Sequence, residues 1–303
     1  MQISHLIRYT CGIALAITVV AVEAKEVTLR HKGLTLNANF ELAAGKTLAD
    51  GIILITHGGL AHRDMEIVTY IQDLLVQGKG DNTLAINLSL GLDNRHGMCE
   101  CKVSHRHRND DAAEEIGAWA DWLKKQGASH VVLLGHSRGG AQTALYAAEQ
   151  DNPLVKAVVL LAPTTRANND AAGYQERYQK PLAPLLEKAR QRVKAGQGGT
   201  LLEHVDLMNC PDTTATADSF VSYYGQDLRV DSPSLIPKIN KPTLVLVAGN
   251  DEVVVGLDKK IAALVDGKRV QMKVIEGSGH LFRDLYVDDA VDAINAFLKG
   301  AGY

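Results

Sequence analysis

The most informative motif in the sequence has a serine at its centre. Residues 135–139 read Gly-His-Ser-Arg-Gly, after a short apolar run that predicts a buried strand and before a helical pattern. Small residues at such a strand-to-helix turn let the chain bend sharply and expose the serine hydroxyl. The sequence therefore predicts Ser137 as a nucleophile. The backbone N–H of Arg138, at the start of the predicted helix, is expected to stabilise developing negative charge.

A serine hydroxyl attacks poorly until a base takes its proton. His280 is the candidate base, because it ends a Gly-Ser-Gly-His sequence that follows the last predicted strand. Asp251 ends a Gly-Asn-Asp sequence after another predicted strand, and it is expected to orient the imidazole and to stabilise the imidazolium. Glu252 and Asp284 are the acidic alternatives to Asp251.

A glycine pair follows the first buried strand, where residues 57–60 read His-Gly-Gly-Leu. Glycines at this position let a backbone N–H approach the substrate closely. We therefore predict Gly59 as the second donor of an oxyanion hole, beside the N–H of Arg138, with Leu60 as the alternative to Gly59.

The elements that must position these residues alternate along the chain. Continuous apolar runs predict strands buried on both faces; they cover residues 51–56, 83–87, 131–134, 157–161 and 243–247. A more exposed strand is predicted at 270–275. Helical patterns lie between the strands, which favours an α/β fold with a mostly parallel central sheet and helices on both faces.

Two segments depart from this alternation. Residues 27–30 and 34–40 alternate apolar and polar side chains around a Lys-Gly turn and predict an antiparallel hairpin at the start of the fold. Residues 164–241 contain no buried-strand pattern and predict a small, partly helical cap inserted over the strand ends.

The order of the four motifs, across about residues 50–300, resembles that of the α/β-hydrolase superfamily, on its esterase, lipase and dienelactone-hydrolase side. The resemblance implies the α/β-hydrolase fold, a Ser…Asp…His chain order, an acyl-enzyme intermediate and no cofactor. It does not identify the substrate. Our leading hypothesis is hydrolysis of a carboxylic ester or related acyl bond in a small molecule. An aminopeptidase or amidase on the same fold is the alternative.

Composition and the N-terminus restrict location and partners. The chain has 303 residues, a net charge of −3 and a pI near 6.4, which argues against a nucleic-acid-binding surface. The apolar run at 11–22 is shorter than the roughly 20 residues that span a bilayer. It follows Arg8 and precedes small residues, which predicts a signal peptide cut after Ala24. We therefore expect a periplasmic or secreted domain, residues 25–303, without a membrane span; an uncleaved anchor is the alternative.

A loop rich in cysteine and histidine, residues 96–108, borders the predicted site. In an oxidising compartment a disulfide from Cys99 or Cys101 to Cys210 would join this loop to the cap. A zinc or copper site is a second interpretation, although the spacing matches no structural zinc pattern. It would make the protein a metal-binding or redox module. The third interpretation is a solvated basic loop whose arginines, Arg95, Arg106 and Arg108, attract an anionic substrate.

Overall fold

A computed structural model describes residues 25–303, so the predicted signal peptide and its cleavage site lie outside the described residues. One large sheet has eight strands: β1 (Lys25–His31), β2 (Leu34–Glu41), β3 (Ile52–Thr56), β4 (Thr83–Asn87), β5 (Val131–His136), β6 (Val155–Leu161), β9 (Thr243–Ala248) and β10 (Val270–Ile275). Their order across the sheet is β1-β2-β4-β3-β5-β6-β9-β10. The pairs β1–β2 and β2–β4 are antiparallel, and the remaining pairs are parallel. The predicted α/β fold and its antiparallel opening hairpin are confirmed.

Helices cover both faces of this sheet. They are α1 (Glu66–Asp73), α2 (Asp111–Lys125), α3 (Ser137–Glu149), α8 (Leu257–Ala262) and α9 (Leu285–Gly300). The alternation of side chains along β3 shows the two cores: Leu54 packs in the cluster that contains Trp119 of α2, and Ile55 in the cluster that contains Ile294 of α9. Because both faces of β3 are buried, its sequence is continuously apolar rather than alternating.

Residues 164–241, between β6 and β9, form the segment that we call the cap. It contains helices α4 (Ala171–Tyr178), α5 (Leu182–Lys194), α6 (Ala217–Tyr224) and α7 (Ser232–Leu235). It also contains an antiparallel hairpin, β7 (Leu201–Leu207) and β8 (Cys210–Thr216), which the sequence analysis did not predict. The pairing of β7 with β8 shifts register twice, so the two-residue alternation that would have indicated strands is broken.

A disulfide between Cys101 and Cys210 connects the cap to the loop between β4 and α2, with 5.1 Å between the two Cα atoms. Two backbone hydrogen bonds join the same loop to the cap: the His105 N–H donates to the Thr214 carbonyl (2.8 Å), and the Thr216 N–H donates to the His105 carbonyl (2.9 Å). The predicted disulfide to Cys210 is therefore present, with Cys101 as its partner. Cys99 is buried and has no disulfide partner among residues 25–303.

Within residues 25–303, no helix has the length and apolar character needed to cross a membrane.

Candidate active site

The turn between β5 and α3 has the geometry that the serine motif predicts. Ser137 has a φ of +56°, a left-handed conformation that residues other than glycine seldom adopt. A Cβ atom on Gly135 would overlap the Thr143 hydroxyl, and one on Gly139 would overlap the His57 carbonyl. The two glycines therefore allow the close packing around the turn, and Ser137 is held at its tip.

The three residues predicted for catalysis are brought together from separate strand ends. The Ser137 Oγ lies 2.8 Å from Nε2 of His280, and Nδ1 of His280 lies 2.9 Å from Oδ2 of Asp251. With the Nδ1 proton donated to the carboxylate, Nε2 is free to accept the serine proton. The side chains of His280 and Asp251 are only 11% and 3% exposed. Asp251, rather than Glu252 or Asp284, makes the contact with the imidazole.

The carboxylate of Asp251 is held from both sides. Its second oxygen accepts hydrogen bonds from the backbone N–H groups of Val253 and Val254, each at 2.8 Å. Burial alone would raise the pKa of Asp251, but the hydrogen bonds from His280 and from these two N–H groups outweigh burial and hold its pKa below the usual value. Asp251 is therefore ionised at neutral pH and available to stabilise an imidazolium.

The His-Gly-Gly loop packs against the serine. A Cβ on Gly58 would lie 2.8 Å from the Ser137 Cβ, so the loop backbone is in direct contact with the turn. Gly59 has a φ of +50°. Its N–H donates no hydrogen bond within the described part of the chain. The N–H of Arg138, the second residue of α3, has no partner inside the helix because the first turn of a helix leaves its N–H groups free.

Comparison with known proteins identifies the scaffold. The sequence model of the alpha/beta hydrolase family matches residues 52–297. This chain belongs to the alpha/beta hydrolase family. No curated protein matches the chain by sequence.

Solved structures resemble this hydrolase over most of its length. The Est1E protein of Butyrivibrio proteoclasticus is 17% identical with a TM-score of 0.63, and covers 91% of this chain and 98% of its own. A dienelactone hydrolase of Anabaena variabilis is 18% identical with a TM-score of 0.56, covering 92% and 98%. An esterase of Pyrococcus furiosus is 15% identical with a TM-score of 0.60, covering 92% and 91%. At these identities the similarity shows a common fold.

His136 holds the loop that carries the candidate base, a contact that the sequence analysis missed. Its Nε2 donates to the backbone carbonyl of His280 at 2.9 Å, and the two rings are 5.0 Å apart. Burial, with the neighbouring His280, lowers the pKa of His136 to about 4, so this imidazole is neutral at pH 7. The motif accepts any residue between its first glycine and the serine, so the sequence contained no signal for this role.

A second unpredicted contact supports the Gly59 loop of this hydrolase from behind. Nε2 of His57 accepts hydrogen bonds from the Leu88 N–H at 3.0 Å and from the Arg95 guanidinium at 3.2 Å. Burial and the charge of Arg95 lower the pKa of His57 to about 3, which keeps it neutral. The Cys99 N–H also donates to the Leu60 carbonyl at 2.9 Å. The loop after β4 therefore fixes the backbone that precedes and follows Gly59.

The interpretation of Arg95 as part of a solvated basic loop is wrong. Arg95 is buried and donates to the Leu88 carbonyl at 2.8 Å and to the Asn87 side chain at 2.8 Å. Arg108 is engaged by Asp110 at 3.0 Å. Neither guanidinium is directed at the candidate active site.

The histidines of the loop at 96–108 do not support the interpretation of this loop as a metal centre. Nδ1 of His107 lies 2.8 Å from the Tyr223 hydroxyl, and its Nε2 lies 3.3 Å from His105. His96 instead faces Glu26 at 2.9 Å. Across residues 25–303, no three His, Cys, Asp or Glu side chains form a group that could hold a metal ion.

A cavity of about 860 Å³ opens beside Ser137 and His280. Its lining comes from the Gly59 loop, the start of α1, the cysteine-containing loop, the turn of the cap hairpin at Asn209, the loop after β9, and the segment around and after His280. The side chain of Arg138 does not contribute to this lining. It is buried, with its guanidinium 5.3 Å from the centre of the Tyr223 ring and 3.2 Å from the Asn169 side-chain oxygen. Arg138 therefore offers the site its backbone N–H only.

Proposed function

We propose that this chain is a serine hydrolase that cleaves carboxylic esters through an acyl-enzyme intermediate. The observation that carries the proposal is the continuous chain of hydrogen-bond distances from Ser137 through His280 to Asp251, with Ser137 and His280 lining a cavity large enough for a small molecule. Two solved structures that share the fold are named as esterase or hydrolase, which is consistent with this chemistry.

The reaction follows from the roles that the geometry allows. Nε2 of His280 takes the hydroxyl proton as Oγ of Ser137 attacks the ester carbonyl carbon, and a tetrahedral oxyanion forms. The N–H groups of Gly59 and Arg138 donate to this oxyanion. The imidazolium, stabilised by Asp251, then gives its proton to the departing alcohol and leaves the acyl group on the serine. Water, deprotonated by His280, releases the acid in the reverse sequence.

Labelling with a fluorophosphonate tests for an activated serine directly. The probe should modify the wild-type protein and should fail to modify Ser137→Ala. Ser129→Ala is a matched control, because Ser129 is exposed and precedes the same strand, β5, that Ser137 follows. It should label like the wild type. Labelling of Ser137→Ala at the wild-type rate would refute the assignment of the nucleophile.

A comparison of acyl bonds distinguishes the esterase from the amidase alternative. The p-nitrophenyl ester and the p-nitroanilide of the same acyl group should both be offered, together with aminoacyl p-nitroanilides. The ester should be cleaved with the higher kcat/KM after correction for its greater intrinsic reactivity. Preferential cleavage of an aminoacyl anilide would instead support a peptidase.

We also propose that the enzyme is exported, with residues 1–24 as a cleaved signal peptide. The Cys101–Cys210 disulfide supports export, because such bonds persist mainly in oxidising compartments. Expression of the full chain in a bacterium, followed by fractionation and intact-mass measurement, tests this proposal. The expected product lies in the periplasm or medium and begins at Lys25; a full-length chain in the membrane fraction would support the anchor.

A further inference from the structure

We infer that the substrates of this site are uncharged esters with an apolar acyl chain, and that the site discriminates against acyl groups that carry a carboxylate. The inference rests on the proposed esterase function and specifies its substrate class. Two observations support it: the apolar side chains that line the cavity, and the contacts that the nearby arginines make with other parts of the protein.

Apolar side chains make up much of the lining of the cavity beside Ser137. The loop after β3 and the loop after β4 contribute Leu60, Met98 and the Cys101 end of the disulfide. Further apolar and aromatic side chains come from the start of α1 and from the segment after His280, namely Met65, Val68, Leu281, Phe282 and Tyr286. An apolar acyl chain bound beside Ser137 would exchange water for contact with these side chains, which favours its binding.

The charged side chains of the lining are Glu252, Arg283 and Asp284, and two of these three are acidic. All three are exposed, and we call this exposed part of the lining the mouth of the cavity. Among the described residues that line the cavity, Arg283 is the one permanent cation, and its Nε lies 3.6 Å from the carboxylate of Glu66, outside the lining. The mouth therefore presents more negative than positive charge to an arriving substrate, which repels an anion over short distances.

The two buried cations near the site cannot compensate an anionic substrate. Arg95 is committed to His57, Asn87 and a backbone carbonyl behind the Gly59 loop. Arg138 is directed into the cap, toward Tyr223 and Asn169. Other polar side chains of the lining, the neutral His136 and the exposed amides Asn209 and Asn250, carry no formal charge at pH 7. A carboxylate on the acyl chain would lose hydration without gaining a cationic partner.

Three p-nitrophenyl esters with six-carbon acyl chains test the inference: the hexanoate, the adipate monoester and the 6-aminohexanoate. They share a leaving group and a chain length and differ in charge at the far end. After subtraction of uncatalysed hydrolysis, kcat/KM for the hexanoate should exceed that for the adipate monoester by about 100-fold, the order expected when a charged group is desolvated without a partner. An adipate monoester cleaved as fast as the hexanoate would overturn the inference, and so would a preference for the aminohexanoate.

A matched pair of variants tests whether the apolar wall itself sets this preference. Met98→Lys places a cation in the cavity wall, at a side chain that is 53% exposed. Leu228→Lys makes the same change of charge at a side chain that is 50% exposed and is not part of the lining. Met98→Lys should raise the adipate-to-hexanoate ratio of kcat/KM by about 10-fold, whereas Leu228→Lys should leave the ratio at its wild-type value. An equal change in both variants, or no change in either, would contradict the role assigned to the wall.

Fluorophosphonate labelling separates failure of this inference from failure of the proposed function. If Ser137 is labelled but the adipate monoester is cleaved as well as the hexanoate, the esterase proposal stands and the inference on substrate charge is wrong. If Ser137 is not labelled and none of the three esters is cleaved, the proposed function fails and the inference falls with it.

Discussion

Removal of the Cys101–Cys210 disulfide should lower the stability of the fold by several kcal/mol without abolishing it. The bond closes a loop with a sequence separation of 109 residues. In the chain-entropy treatment, a cross-link over a loop of this length restricts the unfolded chain by about 5 kcal/mol at 25 °C, which is an upper value because unfolded chains retain structure. Domains of this kind are commonly stable by about 5–15 kcal/mol, so the loss is a large fraction of the total.

The variant should be chosen so that only the cross-link is lost. Cys101 is exposed and tolerates serine, whereas Cys210 is fully buried and should become alanine, because a buried hydroxyl would add its own desolvation cost. Cys99→Ala in every protein compared prevents thiol exchange. The backbone hydrogen bonds between His105 and the cap hairpin remain, so the cap is expected to stay docked.

Urea unfolding measures the effect. The free energy of unfolding should fall by about 3–5 kcal/mol in the double variant, and a reductant should shift the parent curve onto that of the variant while leaving the variant unmoved. In the unreduced, denatured protein of residues 25–303, one thiol should titrate when Cys99 is present. A difference below about 1 kcal/mol together with a parent insensitive to reductant, or three titratable thiols, would refute the reasoning.

Three further predictions concern the site and its support. Asp251→Asn should reduce kcat for ester hydrolysis by about 10⁴-fold with the fold intact, because the imidazole loses its orienting carboxylate; Asp289→Asn, on the exposed face of α9, is the control. Arg95→Met should lower kcat at least about 10-fold with little change in KM, since a misplaced Gly59 N–H weakens transition-state binding, and Arg95→Lys should recover part of the loss. Burial raises the pKa of Glu115 from 4.5 to about 7, so on raising the pH the Glu115 carboxyl loses its proton in the unfolded chain before it does so in the folded protein. The free energy of unfolding should therefore fall by about 3 kcal/mol as pH rises from about 4.5 to about 7. Urea unfolding of Glu115→Gln across this range should show a flatter profile, and an unchanged slope would contradict the shift.

The sheet and the positions of the reacting groups could be predicted from sequence because each depends on a local pattern. A strand covered on both faces needs a continuous apolar run, and residues that follow parallel strands meet at one edge of the sheet. The same rule places Asp251 and its neighbour Glu252 at this edge, and in the structure the carboxylate of Asp251, the predicted orienting group, lies against His280. The cap hairpin was missed because its irregular register, with left-handed backbone at His204 and Met208, removes the alternation by which strands are detected.

The cysteine pairing shows where local patterns stop. Cys99 and Cys101 are two residues apart, and the sequence offered both as partners of Cys210. The choice depends on the direction in which the loop runs. The Cys99 N–H donates to the Leu60 carbonyl, which holds Cys99 against the Gly59 loop. Cys101 lies beside β8, where the Thr213 hydroxyl donates to the Cys101 carbonyl. Neither contact has a signature within the loop, so the partner becomes visible only when the cap and the Gly59 loop are both in place.

Arg95 illustrates the same limit for a charged residue. An arginine in a polar loop is ordinarily expected at the surface, because burying a charge without partners is costly. Here the acceptors come from separate parts of the chain, the His57 ring after β3, the Asn87 side chain at the end of β4 and the Leu88 carbonyl beyond it. Together these acceptors offset the desolvation cost of burying the guanidinium, and they also connect it to the backbone beside Gly59. Local sequence rules can therefore locate the reacting atoms, because strand ends determine their positions. The supporting side chain, Arg95, can be identified only in the folded structure, where acceptors from distant parts of the chain meet around it. Arg95→Met therefore tests a contribution to catalysis that no sequence motif indicates.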